Sequence, residues 1–316
     1  MVPSKFAAAA EPSNAVAELR AAGVHVELID DPADVRVAAF SQLTDRRARE
    51  LADARNGTFV AEGVLVVARA LELMATGRLV VDTVVANSAG LSRLRDSFLS
   101  CVRLGPESRD LPRVLLVPTP VLREVAGFNV HRGVLALVRR WPLLALDDLL
   151  ADPWRLVLAA EDVVDGENMG ALFRNGSAFG VDAIVVSQRS IDPLYRRCVR
   201  VSMGESMSLP WTRVADAEWP DALLGVTRAA GAELVVLSPA GERAVDDYAR
   251  ERAEAAATGN PMRPLLVAVG SEGPGASDNL LAAADVRVCI PMQRSVDSLN
   301  VATAAAVALY ALSSVR

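Results

Sequence analysis

The sequence contains very little lysine and histidine, and both scarcities exclude classes of function. Lys5 is the only lysine among the 33 basic residues of the 316-residue chain, and the formal net charge is −6. A protein that coats nucleic acid with its whole surface is usually basic, so any nucleic-acid binding must use local arginine patches. His25 and His131 are the only histidines. Neither lies in the three polar segments described below as candidates for chemistry, so the sequence supplies no histidine as a general base.

Cysteines and long apolar runs are also scarce. Cys101, Cys198 and Cys289 are widely spaced and form no C-x-x-C pair, which argues against a disulfide framework or a zinc site and favours a reducing cytoplasm. The apolar run 301–312 is too short to span a bilayer, and the run 7–10 is too short for the core of a signal peptide. We therefore expect a soluble, cytoplasmic protein that binds neither a metal nor a membrane.

Apolar residues, by contrast, are plentiful. The chain is 52% hydrophobic with a mean hydropathy of +0.27, as expected for a compact globular protein. Its length and a change of composition near residue 140 suggest two domains. We predict a flexible extension over 1–28, a substrate-binding domain over 29–140, a linker over 141–154 and a catalytic domain over 155–316. In the last of these, apolar strands alternate with helical stretches, which predicts an α/β fold with a mostly parallel sheet.

The first polar segment follows a predicted strand, Leu156–Ala160. It has the sequence Asp165-Gly166-Glu167-Asn168-Met169-Gly170 and continues along a predicted helix to Arg174. We predict that Asn168 caps this helix by accepting from free backbone N–H groups. Arg174 lies six residues further on, in an apolar setting. Taken alone, the segment also fits an ordinary capped helix with one surface arginine.

The second segment, Gly270-Ser271-Glu272-Gly273-Pro274-Gly275, follows the predicted strand Leu265–Val269. Its glycines permit positive φ angles and a close approach of the backbone to a ligand. Glu272 would repel phosphate, and it breaks both the G-x-G-x-x-G and the Walker A patterns. The loop therefore favours a cationic or hydroxyl-bearing ligand, with a tight strand–helix turn as the alternative.

The third segment follows a predicted strand over 286–290. It contains Ile290-Pro291-Met292 and, after a polar loop, Ser298-Leu299-Asn300-Val301. We predict that Ser298 caps the C-terminal helix to which Asn300 belongs, although a cap on an ordinary core helix explains the same pattern. The loops after residues 160, 269 and 290 should meet at the carboxyl edge of the sheet, where parallel sheets bind ligands.

In this order and spacing, the three segments resemble the motifs of the SpoU/TrmH family of RNA ribose 2′-O-methyltransferases, within the SPOUT superfamily. The resemblance covers residues 155–316 closely and 30–140 more loosely. In the looser region, Phe59-Val60-Ala61-Glu62-Gly63 and His131-Arg132-Gly133-Val134 resemble the family's substrate-binding domain, which is similar to small ribosomal RNA-binding proteins. Gly166, Asn175 and Ala276 depart from residues common in the family, and none of them removes a polar group that the chemistry requires.

The resemblance implies a parallel sheet whose C-terminal segment forms a deep trefoil knot, S-adenosylmethionine bound within that knot, and a homodimer. It also implies roles for particular residues. The catalytic group comprises Arg174, Asn168, Glu272, Ser298 and Asn300; the donor-binding group comprises Gly270, Glu272, Gly275, Ile290, Met292 and Leu299; the RNA-binding group comprises His131 and Arg132. Arginine normally stays protonated, so a phosphate-clamping role for Arg174 is preferred over a role as base.

The substrate preference and the alternatives follow from the same residues. Ribosomal RNA is preferred over transfer RNA because the chain carries a separate N-terminal domain, and DNA is not expected. Alternatives are methylation of a base nitrogen, a resistance methylase that protects the ribosome from an antibiotic, and a catalytically silent RNA-binding or ribosome-assembly protein. Candidate RNA-contacting patches, each of which could instead be a solvated face, are Arg46-Arg47-Arg49, Arg132, Arg139-Arg140 and Arg196-Arg197-Arg200.

Overall fold

The computed structural model describes residues 14–41, 43–45, 52–53, 55–104, 111–293 and 297–313. Contacts between Cα atoms divide the chain into two units. Unit 1 comprises residues 1–141 and 194–204, and unit 2 comprises residues 142–193 and 205–316. No helix within the described ranges is long and apolar enough to cross a membrane.

Unit 1 is built on a mixed five-stranded sheet of order β1-β4-β3-β5-β2. Its strands are β1 (Val26–Leu28), β2 (Thr58–Glu62), β3 (Val81–Ala86), β4 (Arg113–Leu116) and β5 (Val134–Arg139). Strands β1, β4 and β3 are parallel, whereas β5 runs antiparallel to both of its neighbours. The helices that precede or connect them are α1 (Asn14–Ala21), α2 (Val64–Ala75), α3 (Ser88–Leu104) and α4 (Thr119–Ala126).

Helix α2 shows how the sequence produces these elements. Val64, Val67, Leu71 and Met74 recur at helical spacing and are all buried, so one face of the helix packs onto the sheet. Gly77 follows with a φ of 80°, a backbone conformation that ends the helix at low cost for glycine. The spacing of the apolar residues and the glycine that follows them thus account for the helix and its end.

The predicted flexible extension is wrong for residues 14–28. Helix α1 buries Val16 and Leu19, and β1 pairs in parallel with β4 through Val26 and Val114. Ala15, Val16, Leu19, Val24 and Val26 are all buried, so this segment is part of the folded unit. Residues 1–13 lie outside the described part of the chain.

Unit 2 is built on a seven-stranded sheet of order β10-β12-β9-β11-β6-β7-β8, in which every strand pair is parallel. The strands are β6 (Leu156–Ala160), β7 (Ala183–Ser187), β8 (Trp211–Val214), β9 (Glu233–Leu237), β10 (Arg243–Ala244), β11 (Leu265–Val269) and β12 (Val286–Cys289). The helices are α5 (Leu146–Leu149), α6 (Gly166–Ala178), α8 (Asp221–Ala229), α9 (Val245–Ala257), α10 (Asp278–Ala283) and α11 (Val301–Ser313). Helix α7 (Arg196–Val201) belongs to unit 1. The predicted parallel sheet is confirmed.

The central strands of unit 2 fix the positions of its loops. All five residues of β6, β7 and β11 are buried, which is why these strands appear as continuous apolar runs. One side of the sheet packs into a core that includes Val157, Leu234 and Leu280. Because β9, β11 and β12 run in the same direction, the segments that follow them emerge at one edge of the sheet.

Candidate active site

A cavity of about 380 Å³ opens where β9, β11 and β12 end. Its wall is formed by the loops after these strands and by the first turn of α11. Of the residues predicted for the site, the wall contains Gly270, Glu272, Gly275, Ile290, Met292, Ser298, Leu299 and Asn300. A volume of this size lies in the range of small-molecule binding sites. Residues separated by up to 30 positions in sequence therefore meet around one cavity.

The glycine loop (residues 270–276) folds back on itself at the side of this cavity. The Ser271 N–H donates to the Gly275 carbonyl over 3.0 Å, and the Gly275 N–H donates back to the Ser271 carbonyl over 3.1 Å. A Cβ atom on Gly270 would lie 2.0 Å from the backbone N of Ala276. Only glycine permits this close approach, so the base of the loop is closed by backbone against backbone.

Asn300 caps α11. Its Oδ1 accepts hydrogen bonds from the backbone N–H groups of Ala302 (3.0 Å) and Thr303 (3.2 Å). The prediction that Ser298 caps this helix is therefore wrong, because the first helical residue is Val301 and Asn300 directly precedes it. The Asn300 Nδ2 remains available and donates to Asn168 Oδ1 over 2.8 Å.

Asn168 lies in the first turn of α6 and does not cap it. Asp165 is the cap, and its Oδ1 accepts from the N–H groups of Glu167 (2.8 Å) and Asn168 (3.0 Å). The predicted cap is wrong because the helix begins at Gly166. On the same face of α6, Asn175 Nδ2 donates to the Ala302 carbonyl over 2.9 Å. Two amide side chains thus join α6 to the start of α11.

The cavity wall contains few charged side chains, and their charge is negative. Among the described wall residues, Glu272 is the only charged one. Arg174 is exposed on α6, lies outside the wall, and has no hydrogen-bond or ion-pair partner in the described part of the chain. A carboxylate without a nearby wall cation disfavours a phosphate and suits a ligand that carries positive charge.

Comparisons with known proteins agree with this arrangement. Residues 155–310 match the model of the SpoU rRNA Methylase family. An uncharacterized tRNA/rRNA methyltransferase of Mycobacterium bovis is 38% identical over 288 residues, which cover 91% of this chain and 92% of the relative. The chain belongs to the SpoU methyltransferase family.

Solved structures share the fold of this SpoU-family chain. The SpoU methyltransferase AviRb from Streptomyces viridochromogenes, in complex with the cofactor AdoMet, has a TM-score of 0.68 at 23% identity, with 89% of this chain and 97% of AviRb covered. A structure described as an RNA 2′-O ribose methyltransferase has a TM-score of 0.67 at 25% identity, with 91% and 97% covered.

Sequence reasoning missed two parts of the SpoU-family site. Ser238 and Pro239, directly after β9, line the cavity. Three consecutive residues of β9, Leu234 to Val236, are buried and apolar, so the strand and the loop at its carboxyl end could have been added to the site on topology alone. The second omission is Glu161, the residue after β6, whose buried carboxylate bonds to Ser277 beyond the glycine loop.

Next to Glu161, the Asp162 carboxylate raises the pKa of Arg189 through an ion pair of 2.5 Å.

The predicted RNA-binding residues lie in unit 1, in a segment that we call the arginine loop (residues 130–133). Arg132 has a φ of 56° and a ψ of 16°, a left-handed conformation that is uncommon for arginine. A Cβ atom on Gly133 would lie 2.2 Å from Asn87 Nδ2, so the loop packs tightly against Asn87. His131 and Arg132 are exposed, and Arg132 has no side-chain partner among the residues the structure describes.

The other predicted arginine patches have different environments. Arg46-Arg47-Arg49 lies outside the described residues. Arg139 Nε lies 2.8 Å from Asp82 Oδ1, and Arg140 Nε donates to the Thr58 carbonyl over 3.0 Å. These two arginines therefore already bind protein groups, which makes them weaker candidates for RNA contact than Arg132.

The assignment of Arg196 to an RNA-contacting patch is wrong. Its side chain is only 14% exposed, forms an ion pair with Glu62, and lies 4.5 Å over the Phe128 ring. Arg200 Nη1 lies 3.7 Å from the same carboxylate, and Glu62 Oε1 also accepts weakly from the His131 N–H at 3.4 Å. Arg196 therefore stabilises unit 1 beneath the arginine loop.

No group of three or more potential metal-ligating side chains occurs within the described ranges.

Proposed function

We propose that this protein transfers a methyl group from S-adenosylmethionine to a ribose 2′-hydroxyl of RNA, with ribosomal RNA preferred over transfer RNA. The observation that carries the proposal is the cavity at the carboxyl edge of the parallel sheet, whose only charged residue in the described wall is Glu272. S-adenosylmethionine carries a sulfonium and an ammonium group, so one acidic group among backbone donors and apolar side chains suits it. The AdoMet complex of AviRb, which shares the fold, supports the choice of donor.

The chemistry needs few groups from the protein. When bound, the donor supplies a methyl group on a sulfonium; the S–C bond breaks with its electron pair going to sulfur, a C–O bond forms, and the 2′-hydroxyl releases its proton to water. Since the leaving group is already good, the chain has to hold the two reactants in line and assist the loss of the proton.

Arg174 binds and orients an RNA phosphate in this proposal. It is exposed and has no partner among the described residues, so its planar guanidinium is available for a bidentate contact with phosphate. Asn168 and Asn300, which bond to each other over 2.8 Å, orient the ribose and shape the approach to the donor. Ser298, Leu299, Ile290 and Met292 complete the donor site beside Gly270 and Gly275.

RNA as the substrate is supported by the names of similar proteins. The Mycobacterium bovis relative is described as a tRNA/rRNA methyltransferase, and one solved structure of this fold as an RNA 2′-O ribose methyltransferase. A separate N-terminal unit that presents Arg132 favours a large, structured RNA such as ribosomal RNA.

We also propose the trefoil knot, the homodimer and the cytoplasmic location that the family resemblance implies. For the dimer, α11 presents Tyr310 (67% exposed) and Val307 (39% exposed) on its surface. Tyr310 contacts Phe179 at the end of α6, with ring centroids 6.1 Å apart. A dimer formed through this apolar surface of α11, which contacts α6 with its Asn168 and Arg174, would bring two active sites close to the subunit interface.

The test is methyl transfer from radiolabelled S-adenosylmethionine to purified ribosomal RNA and to purified transfer RNA, assayed separately, with digestion to nucleosides and mass analysis. We expect label in a 2′-O-methylated nucleoside of ribosomal RNA. Label on a base nitrogen, or label only in transfer RNA, would contradict the substrate assignment. Failure of calorimetry to detect donor binding would instead favour a silent RNA-binding protein.

A further inference from the structure

Glu161 is one of two buried glutamates in the described chain, and it is 4% exposed. Its carboxylate accepts three hydrogen bonds of 2.7 Å each, from Trp219 Nε1, from Ser277 Oγ and from the Ser277 backbone N–H. The two N–H donors lie closer to the carboxylate than the usual N–H···O distance of about 2.9 Å. A buried carboxylate with three directed hydrogen bonds has little freedom to move, so its partners Trp219 and Ser277 are fixed in position.

Glu161 bonds to the chain at both ends of the glycine loop. The Glu161 N–H donates to the carbonyl of Val269, the last residue of β11 before the loop, over 2.9 Å. The Glu161 side chain bonds to Ser277, the first residue after the loop. One residue therefore sets the separation of the two ends, between which Gly270 packs on the backbone of Ala276.

Ser277 passes this constraint on to α10. Its hydroxyl donates to Glu161 Oε1 and at the same time accepts from the Leu280 N–H over 3.2 Å, which caps the helix. Leu280 is fully buried in the core of unit 2. The direction in which the chain leaves the glycine loop is thus fixed by the carboxylate on one side and by the core on the other.

We propose that Glu161 is a positioning residue of the methyl-donor site, which sets donor affinity by holding the glycine loop through Ser277. This rests on the proposed function. Glu161 is not among the described wall residues of the cavity, so its effect on the donor is indirect. A carboxylate is required because three donors point at its two oxygens, and an amide would turn its NH₂ group toward at least one of them. A buried donor left without an acceptor destabilises the arrangement.

The experiment compares Glu161→Gln, Ser277→Ala and Ser277→Thr with the wild type. The full-length protein is titrated with S-adenosylmethionine by calorimetry, and the exchange of backbone amides in 271–280 is followed by mass spectrometry. We expect Glu161→Gln and Ser277→Ala to weaken donor binding about tenfold and to speed exchange in this segment. Ser277→Thr keeps the hydroxyl and should restore both values to nearly those of the wild type.

A matched control separates positioning from general loss of stability. Asp182 Oδ2 accepts from the N–H groups of Arg155 (2.7 Å) and Leu156 (3.0 Å) at the opposite end of β6. Asp182→Asn should lower the melting temperature but leave donor affinity unchanged. At saturating donor, kcat of Glu161→Gln should stay within about twofold of wild type while KM for the donor rises, because the chemical groups are intact.

The outcomes separate this proposal from the proposed function. Wild-type protein that does not bind the donor would overturn the proposed function, whereas the exchange data would still test the holding of the loop. Variants with wild-type donor affinity and wild-type exchange would overturn the positioning role alone. If Glu161→Gln does not fold, the exposed Ser277 still decides the question, since wild-type behaviour of Ser277→Ala would overturn the proposal.

Discussion

The two units each hold a loop with a buried glutamate, but they hold it in different ways. In unit 1, Glu62 is 1% exposed and pairs with Arg196 and Arg200 beneath the arginine loop. In unit 2, Glu161 is 4% exposed and, within the described ranges, accepts hydrogen bonds only from neutral donors beside the glycine loop. One carboxylate is balanced by cations, and the other is stabilised by hydrogen bonds.

The difference matches the charge of the ligand that each loop is proposed to bind. Beneath the arginine loop, the two paired arginines keep the buried glutamate from weakening the positive field of Arg132, which suits RNA phosphates. Near the glycine loop no cation bonds to Glu161 among the described residues, so the negative field of Glu272 is not opposed there. The same residue type thus supports loops of opposite charge.

The largest effect should be a loss of stability when Arg196, the cation that pairs with Glu62 in unit 1, is removed. Arg196→Ala leaves the buried Glu62 with only the more distant Arg200, and we expect the free energy of unfolding to fall by about 3 kcal/mol. Chemical denaturation measures it, with Arg132→Ala as the matched arginine substitution that leaves stability unchanged. A loss below about 1 kcal/mol would show that Arg196 is not the main partner of Glu62.

The next largest effect should be a loss of donor affinity when the close contact between Gly270 and the backbone of Ala276 in unit 2 is disrupted. Gly270→Ala places a methyl group 2.0 Å from the Ala276 nitrogen, and we expect donor affinity to fall about 100-fold because the loop must open. Gly225→Ala in α8 is the control, since a Cβ atom there meets nothing within 4 Å. Calorimetry with unchanged affinity for Gly270→Ala would refute the role of this contact.

A smaller effect should follow from the polar groups of the cavity. Glu272→Ala and Asn300→Ala should each reduce methyl transfer about tenfold while the protein stays folded and keeps its oligomeric state. Asn300→Ala should also lower the melting temperature slightly, because it removes the cap of α11. Asn279→Ala, an exposed amide on α10, serves as the control. Wild-type turnover in both active-site variants would contradict the assignment of the cavity.

The smallest effect is expected at the exposed arginine of unit 1. Arg132→Ala should weaken RNA binding a few-fold and reduce the slope of log affinity against log salt concentration by about 1. Donor affinity should not change. Filter binding at several salt concentrations measures the slope, with Arg228→Ala on α8 as an exposed control in unit 2. An unchanged slope for Arg132→Ala would remove it from the RNA-binding surface.

Some parts of this structure could be predicted from the sequence because they depend on local apolar runs. Strands β6 and β11 were predicted at their observed bounds since each is buried along its whole length. Much of the cavity wall could be predicted because parallel strands end at the same edge of the sheet and because the motifs directly follow these strands in the sequence. These features need no knowledge of which distant residues meet.

Other parts could not be predicted because they depend on distant partners. Asn168 and Ser298 both look like caps, yet Asp165 and Asn300 take that role once the helix starts are known. Arg196 looks like part of a solvated basic patch, and its burial depends on Glu62, which is 134 positions away. The short edge strand Trp211–Val214 was not predicted, since its mixed composition carries no strand pattern.

Helix α7 has a consequence for how this protein is made. It lies between β7 and β8 in sequence but belongs to unit 1, where its arginines pair with Glu62 of β2. A nascent chain that has emerged only as far as residue 141 would lack these partners, and an edge strand would be left uncovered. We therefore expect unit 1 to complete its fold only after residue 204 has left the ribosome, and a fragment ending at residue 141 should be prone to aggregation.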